Sequence, residues 1–246
     1  AELDPDSYIK VSKIMSSSHS SETEGDNQLA EQLAYGGFLI PDNTDEISRL
    51  KVQNGQFRFG NQVFSLGICP TFECNLSCAT CSGRQNRGRM SPAIEKALLQ
   101  FTQQRVKRSD MVEVTWFGGE PLLCVETIER IQGGLTEQAV KYNSAMSGSS
   151  VVTNGLLLDK GMTDRLKAVG VAQAQVTLDA DRQSAGGERI YAQVINNVAE
   201  TNAILDVIVR INVDASKATG AMGVIEDLDK LNILSNVRVY FGQADT

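Results

Sequence analysis

The chain has 246 residues, 41% hydrophobic and 22% charged, an ordinary globular composition that fills one large α/β domain or one domain with a small appendage. A net charge of −7 argues against nucleic acid or an anionic membrane as the main partner. No run approaches the ~18 apolar residues of a membrane span, and the acidic, polar start "AELDPDSYIK" is not a secretory signal.

Residues 1–65 differ from the rest and read as a small α+β extension. "SSSHSSETEGDN" (16–27) is a polar, low-complexity loop. In "QLAEQLAYGG" Leu29 and Leu33 lie one helical turn apart, and two glycines stop the helix. "TDEISRLK" gives a second short helix. "GQFRFGNQVFSLGI" reads as two strands around Gly60-Asn61, a hairpin. From Phe64 onward strands and helices alternate. "FSLGICPT" is a strand that runs into a cysteine-bearing loop. Ser91-Pro92 opens a helix as N-cap and first-turn proline, with Ile94, Ala97, Leu98 and Phe101 as its expected buried face. "MVEVTWF" is a strand, "GGE" a turn, and Pro121 starts the next helix. "SSVVTNG" is a strand and "TDRLKAVG" a helix ended by Gly170. "AQAQVTLD" is a strand, and Ile190, Val194 and Val198 mark a helix. "LDVIVRINVD" is a strand, "GVIEDLDKL" a helix and "NVRVYF" a last strand. Strands alternating with helices imply a parallel sheet with right-handed crossovers. Six strands, short of eight, predict an α/β fold over 66–246: a partial (β/α)6 TIM-like barrel, open along one side, with functional residues at the C-terminal strand ends.

Chemistry concentrates in "CNLSCATC" (74–81), which holds three of the five cysteines. Chance would place three at this spacing about one time in a thousand. An odd, clustered set is not a secreted disulfide framework. It implies a reducing, cytoplasmic setting in which the thiols bind something. Buried structural cysteine is one reading, but Asn75, Ser77 and Thr80 make the loop polar. Structural zinc wants four closed ligands, and no second pair exists; His19, the single histidine, lies far upstream. Cys69 is a conceivable fourth ligand, although its place before Pro70 suits the core better. An iron–sulfur cluster held by three thiolates leaves one iron open, which is what a catalytic site needs.

The Cys-x-x-x-Cys-x-x-Cys form after a first strand resembles that of radical S-adenosylmethionine (SAM) enzymes. "WFGGEPLL" (116–123) is similar to their glycine-rich SAM-binding motif. "VTNG", "VTLDA" and "VIVRINVD" resemble the third to fifth strands of the peptide-modifying branch, the SPASM-type maturases of ribosomally made peptides. "YGGFLIPDNTDEISRLK" is similar to the lead-in of those maturases, so the likeness covers roughly residues 35–246. The resemblance implies that Cys74, Cys78 and Cys81 ligate a [4Fe–4S] cluster whose open iron is chelated by SAM. A low-potential donor such as flavodoxin or ferredoxin would reduce it, and SAM would yield a 5′-deoxyadenosyl radical. That radical would take hydrogen from a precursor peptide, forming a cross-link, with residues 1–65 as a leader contact region. Gly118, Gly119, Glu120 and Pro121 would form the SAM turn, the glycines letting backbone approach its amino group. Glu120 would add a negative field or cap the next helix. Thr177 would face the SAM carboxylate or ribose. Arg210 would pair with that carboxylate or, alternatively, with Asp179. Asn154 would reach SAM or hold a turn beside Gly155. Departures are Thr80 in place of an aromatic residue, Ala180 in place of glycine, and a short "DRQSAGGERIYAQ". "FGQADT" ends the chain where relatives continue into auxiliary-cluster extensions: a truncation, or a protein without one. The competing readings are a maturase of the sulfatase-activating type and a non-catalytic zinc or iron–sulfur module.

Overall fold

The computed structural model describes residues 9, 11, 24–35, 44–59, 62–78, 88–179, 187–213 and 218–243. The 16–23 part of the polar loop, Gly36-Gly37, Gly60-Asn61, Thr80, Cys81, Ala180 and 181–186 lie outside the described residues. The chain divides into two compact units, Ala1–Gly60 and Asn61–Thr246.

The first unit contains α1 (Glu24–Tyr35) and α2 (Glu46–Phe59). Asp45 starts α2: its carboxylate accepts the Ser48 N–H at 2.9 Å, and that bond holds its pKa below the usual carboxylate range. The helix then runs through Phe59, so residues 56–59, expected as the first arm of a hairpin, are helical. The hairpin is not formed. Its second arm, β1 (Val63–Ile68), pairs instead in parallel with β2 (Met111–Trp116), from Val63↔Met111 to Ile68↔Trp116. A helix satisfies its backbone locally, while β1 finds its hydrogen bonds across a crossover.

The second unit alternates strand and helix: β1, α3 (Pro92–Val106), β2, a 3₁₀ turn (Pro121–Cys124) leading into α4 (Val125–Tyr142), β3 (Ala145–Met146), β4 (Ser149–Thr153), α5 (Lys160–Ala168), β5 (Val171–Asp179), α6 (Glu188–Thr201), β6 (Asp206–Val213), α7 (Ala218–Lys230) and β7 (Arg238–Gln243). All pairings are parallel, in the order β1-β2-β4-β5-β6-β7, with the short β3 also on β2. The seven-stranded sheet does not close on itself, as a partial barrel requires. The six expected strands are all present; β3 is the addition.

Side chains alternate along each strand. Val112, Val114, Trp116, Val151, Val176, Val209 and Ile211 are fully buried against the helices. Each such side chain contributes about 1.5–3 kcal/mol relative to exposure. Between them Thr115, Ser150, Gln175, Thr177 and Arg210 point to the other face and are only partly buried.

Helix α3 corrects one expectation. Ser91 caps it and Pro92 opens it as foreseen, the Ser91 hydroxyl accepting the Ile94 N–H at 3.4 Å. Of the expected face Leu98 does pack, partly buried, against the core, but the buried positions are Glu95, Thr102 and Val106, and Ile94 is 55% and Phe101 56% exposed. Polar contacts decide the rotation. Glu95 accepts the Thr127 hydroxyl at 3.0 Å and Arg130 Nε at 2.9 Å, and Thr102 donates to Gln138 at 3.0 Å. These bonds, with Leu98, Leu99 and Val106 packed on the core, seat α3 by a stripe that mixes polar and apolar residues. Among the described residues no helix is long and apolar enough to cross a membrane.

Candidate active site

The C-terminal ends of β1, β2 and β4 meet around the base of the cysteine loop. The loop is clamped where it leaves and returns: Met90 N–H bonds Pro70 O at 2.8 Å, Phe72 N–H bonds Gly88 O at 3.0 Å, and Arg89 pairs with Glu73 at 2.8 Å. Its stem docks on the glycine turn after β2. Gly119 N–H donates to Thr71 O at 3.0 Å and Glu120 N–H to Glu73 O at 2.7 Å. Gly118 has φ 139°, and a Cβ there would fall on Thr71 O and lie 2.7 Å from Cys69 Sγ. A Cβ on Gly119 would fall on Glu73 O and 2.6 Å from Phe72 O. The two glycines thus let the cysteine loop lie on the turn, a role the sequence reading did not give them.

Within the loop Cys74 is exposed and Cys78 half-buried. The third expected ligand, Cys81, lies outside the described residues. Leu76 N–H points at Cys74 Sγ from 3.5 Å and Asn154 Nδ2 from 3.7 Å. Cys69 turns its thiol to Thr71 O at 3.2 Å, and burial raises its pKa. Cys124 is buried in the 3₁₀ turn, where burial likewise pushes its thiol up. Burial thus disfavours the thiolate form of both, and neither lies in the cysteine loop itself.

Glu120 is wholly buried. Its Oε1 accepts the Leu122 N–H at 3.1 Å and the Thr153 hydroxyl at 2.8 Å, and its Oε2 accepts the Asn154 N–H at 2.9 Å. Burial pushes its carboxyl above the ordinary glutamate value, with these bonds opposing the shift. It caps the turn opened by Pro121 and ties the end of β2 to the end of β4. Asn154 carries the tie onward: its Nδ2 donates to Asn75 Oδ1 at 2.8 Å and its Oδ1 accepts the Leu156 N–H at 3.0 Å. Asn154 therefore holds a turn and also grips the cysteine loop. Asn75 was missed as a partner because nothing local connects residues 79 positions apart.

On the far side of the sheet Thr177 pairs with Arg210, and Arg210 with Tyr240. Arg210 forms no ion pair among the described residues, and its buried Nε finds no hydrogen-bond partner there. The backbone of Asp179 pairs with Asn212. The guanidinium lies over Gly242, where a Cβ would meet Nη2 at 2.9 Å and Cζ at 3.0 Å. The exposed Cys74 and half-buried Cys78 on a braced loop, with a guanidinium at the sheet's C-terminal half that forms no ion pair among the described residues, fit a thiolate-held cluster beside a ligand bearing a carboxylate.

Curated relatives match part of the chain. A probable GTP 3′,8-cyclase of Methanococcus vannielii is 35% identical over 129 residues, 49% of this chain and 38% of the relative. One of Methanocaldococcus jannaschii is 31% identical over 130 residues, again 38% of its length. Among solved structures, anSMEcpe with bound AdoMet and the Cp18Cys peptide aligns with TM-score 0.61 and 17% identity, over 75% of this chain and 52% of that one. Streptococcus suis SuiB bound to its precursor peptide SuiA aligns with TM-score 0.55 and 13% identity, over 97% of this chain and 50% of that one. The chain thus spans well under half the length of the curated relatives and about half of these solved chains. The Radical SAM superfamily profile matches residues 68–229, from the last residue of β1 through most of α7. With the cysteine loop and the glycine turn both inside that match, the chain belongs to the Radical SAM superfamily, whose members work with a [4Fe–4S] cluster and SAM.

Proposed function

We propose that the chain is a radical SAM enzyme of the peptide-modifying, SPASM-type branch, and that it forms a cross-link in a ribosomally made precursor peptide. Cys74, Cys78 and Cys81 hold the cluster. Gly118, Gly119, Glu120 and Pro121 shape the turn that offers backbone groups to the SAM amino group. Thr177 and Arg210 face its carboxylate or ribose from β5 and β6. Bound together, cluster and SAM supply a reductive cleavage that generates a carbon radical able to take hydrogen from a C–H bond. The protein's part is to brace the cysteine loop, orient SAM against β5 and β6, and shield the reacting centre from water. An electron donor of low potential, such as flavodoxin or ferredoxin, completes the partner set.

The observation that favours a peptide is the structural likeness to two peptide-bound chains, one of them matched over 97% of this sequence. The unclosed sheet supports the same reading, because a lateral opening admits an extended chain. The hairpin at 56–66 no longer offers an edge for a leader, since its first arm is helical. A second reading, chemistry on a nucleoside triphosphate, is favoured by the identity to probable GTP 3′,8-cyclases. A maturase of the sulfatase-activating type is the third.

One experiment separates them. The reduced enzyme, SAM and the gene-adjacent peptide are incubated without oxygen, and products are read by mass spectrometry. The expected result is 5′-deoxyadenosine formed in step with a peptide lighter by two hydrogens. A peptide heavier by one oxygen, a peptide of unchanged mass in ordinary water that takes up deuterium in heavy water, or turnover with GTP alone would each defeat the cross-linking reading.

A further inference from the structure

Gly242 stands in β7 with no local reason to be glycine. Unlike Gly118, it does not have a positive φ, so its backbone accommodates any residue. Glycine inside a strand weakens it and commonly marks the close approach of another group. Here the group is on the page: the guanidinium of Arg210, one strand away, occupies the space a Cβ would take. That guanidinium belongs to the residue whose buried Nε lacks a hydrogen-bond partner among the described residues. Arginine's head is a rigid plane, so seating Nε and Cζ on a bare Cα fixes where both Nη atoms point.

We propose that Gly242 is a positioning residue for Arg210: its missing side chain is the seat that aims the guanidinium along the C-terminal ends of β6 and β7 at a ligand carboxylate. This rests on the reading that Arg210 meets the carboxylate of SAM. The seat accounts for a residue type that neither turn geometry nor packing against the helices requires. It also predicts which atoms yield on substitution. A methyl at 242 moves the Arg210 head group rather than the β7 backbone, because the nearest atoms are those of a side chain.

The test uses the reconstituted protein with Gly242→Ala, Arg210→Ala and the double variant. Two quantities are read. One is the Arg210 Nε–H resonance in protein labelled at arginine, assigned by its loss in Arg210→Ala. The other is affinity for SAM and for decarboxylated SAM, which lacks the carboxylate. Gly242→Ala should shift the resonance and weaken SAM binding about tenfold, the size of one lost hydrogen bond. It should leave iron content and affinity for decarboxylated SAM unchanged, and add nothing on top of Arg210→Ala. An unmoved resonance, or equal weakening by Gly242→Ala in the Arg210→Ala background, overturns the proposal. A moved resonance with SAM affinity unchanged in every variant keeps Gly242 as the seat and removes SAM as the partner of Arg210, a failure of the earlier reading alone. Should Gly242→Ala not fold, pairing it with Arg210→Lys decides. Lysine has no planar head over residue 242, so folding is restored if the clash is with the guanidinium and stays lost if it is with backbone.

Discussion

A single carboxylate shows how closely the ends of two strands are coupled. Glu120 receives three hydrogen bonds, two of them from backbone N–H groups on different elements. Glu120→Gln keeps the acceptor at Oε1 but sets an amide N–H against the Asn154 N–H. The variant should lose about 1–3 kcal/mol, the usual cost of leaving a buried polar group unsatisfied, read as a lower urea midpoint. The pH dependence carries a sign. Burial raises the folded-state pKa of Glu120 above its unfolded value. Its contribution is therefore fully present below the ordinary glutamate value and lost as pH rises through the folded one. The advantage of the parent over Glu120→Gln should be largest in acid and shrink toward neutrality. An advantage that grew with pH would show the carboxylate's hydrogen bonds outweighing its desolvation.

Between elements, the α3–α4 contact behaves in the opposite sense. Glu95 is held below the ordinary glutamate value, chiefly by its bond to Arg130, with burial opposing and Thr127 assisting. A depressed pKa gives stability that is present above the unfolded value and lost as pH falls through the folded one. The parent should lead Glu95→Gln at neutral pH and converge with it in acid, as followed by thermal unfolding across a pH series. The same contact explains why the face of α3 was misread. Leu98 does pack on the core, but Ile94, Ala97 and Phe101, which share its helical spacing, are exposed, because spacing states only that a helix has an apolar side. Which side turns inward was fixed by Glu95 and Thr102 finding partners on α4. The hairpin was misread for a related reason. Residues 56–59 continue a helix already capped at Asp45, and β1 gained a parallel partner more than forty positions away, Val63 against Met111.

For the molecule as a whole, the cluster assignment stands on three cysteines, of which the structure describes Cys74 and Cys78. Anaerobic reconstitution of the parent should yield about four irons and four sulfides per chain, the content of one cubane cluster. Replacing Cys74, Cys78 and Cys81 together by Ala should abolish both iron content and the change in cluster spectrum on adding SAM. A variant that kept the SAM-perturbed spectrum would place the cluster elsewhere. The bracing around the loop is expected to survive that replacement, because Gly119, Glu120 and Thr71 hold its stem through backbone groups.

Over 66–246 the order of strands and helices was legible because the central strands bury one face and most helices are punctuated by Ser, Pro, Asp or Gly, all local signals. The cysteine spacing and the paired glycines were legible for the same reason. Tertiary structure decided what those residues touch. The glycine turn lies under the cysteine stem, Asn154 reaches Asn75, and Gly242 lies under Arg210. Each of these contacts joins separate strand ends across a crossover. In a parallel sheet that juxtaposition is set by register, and register is fixed only when the strands pair.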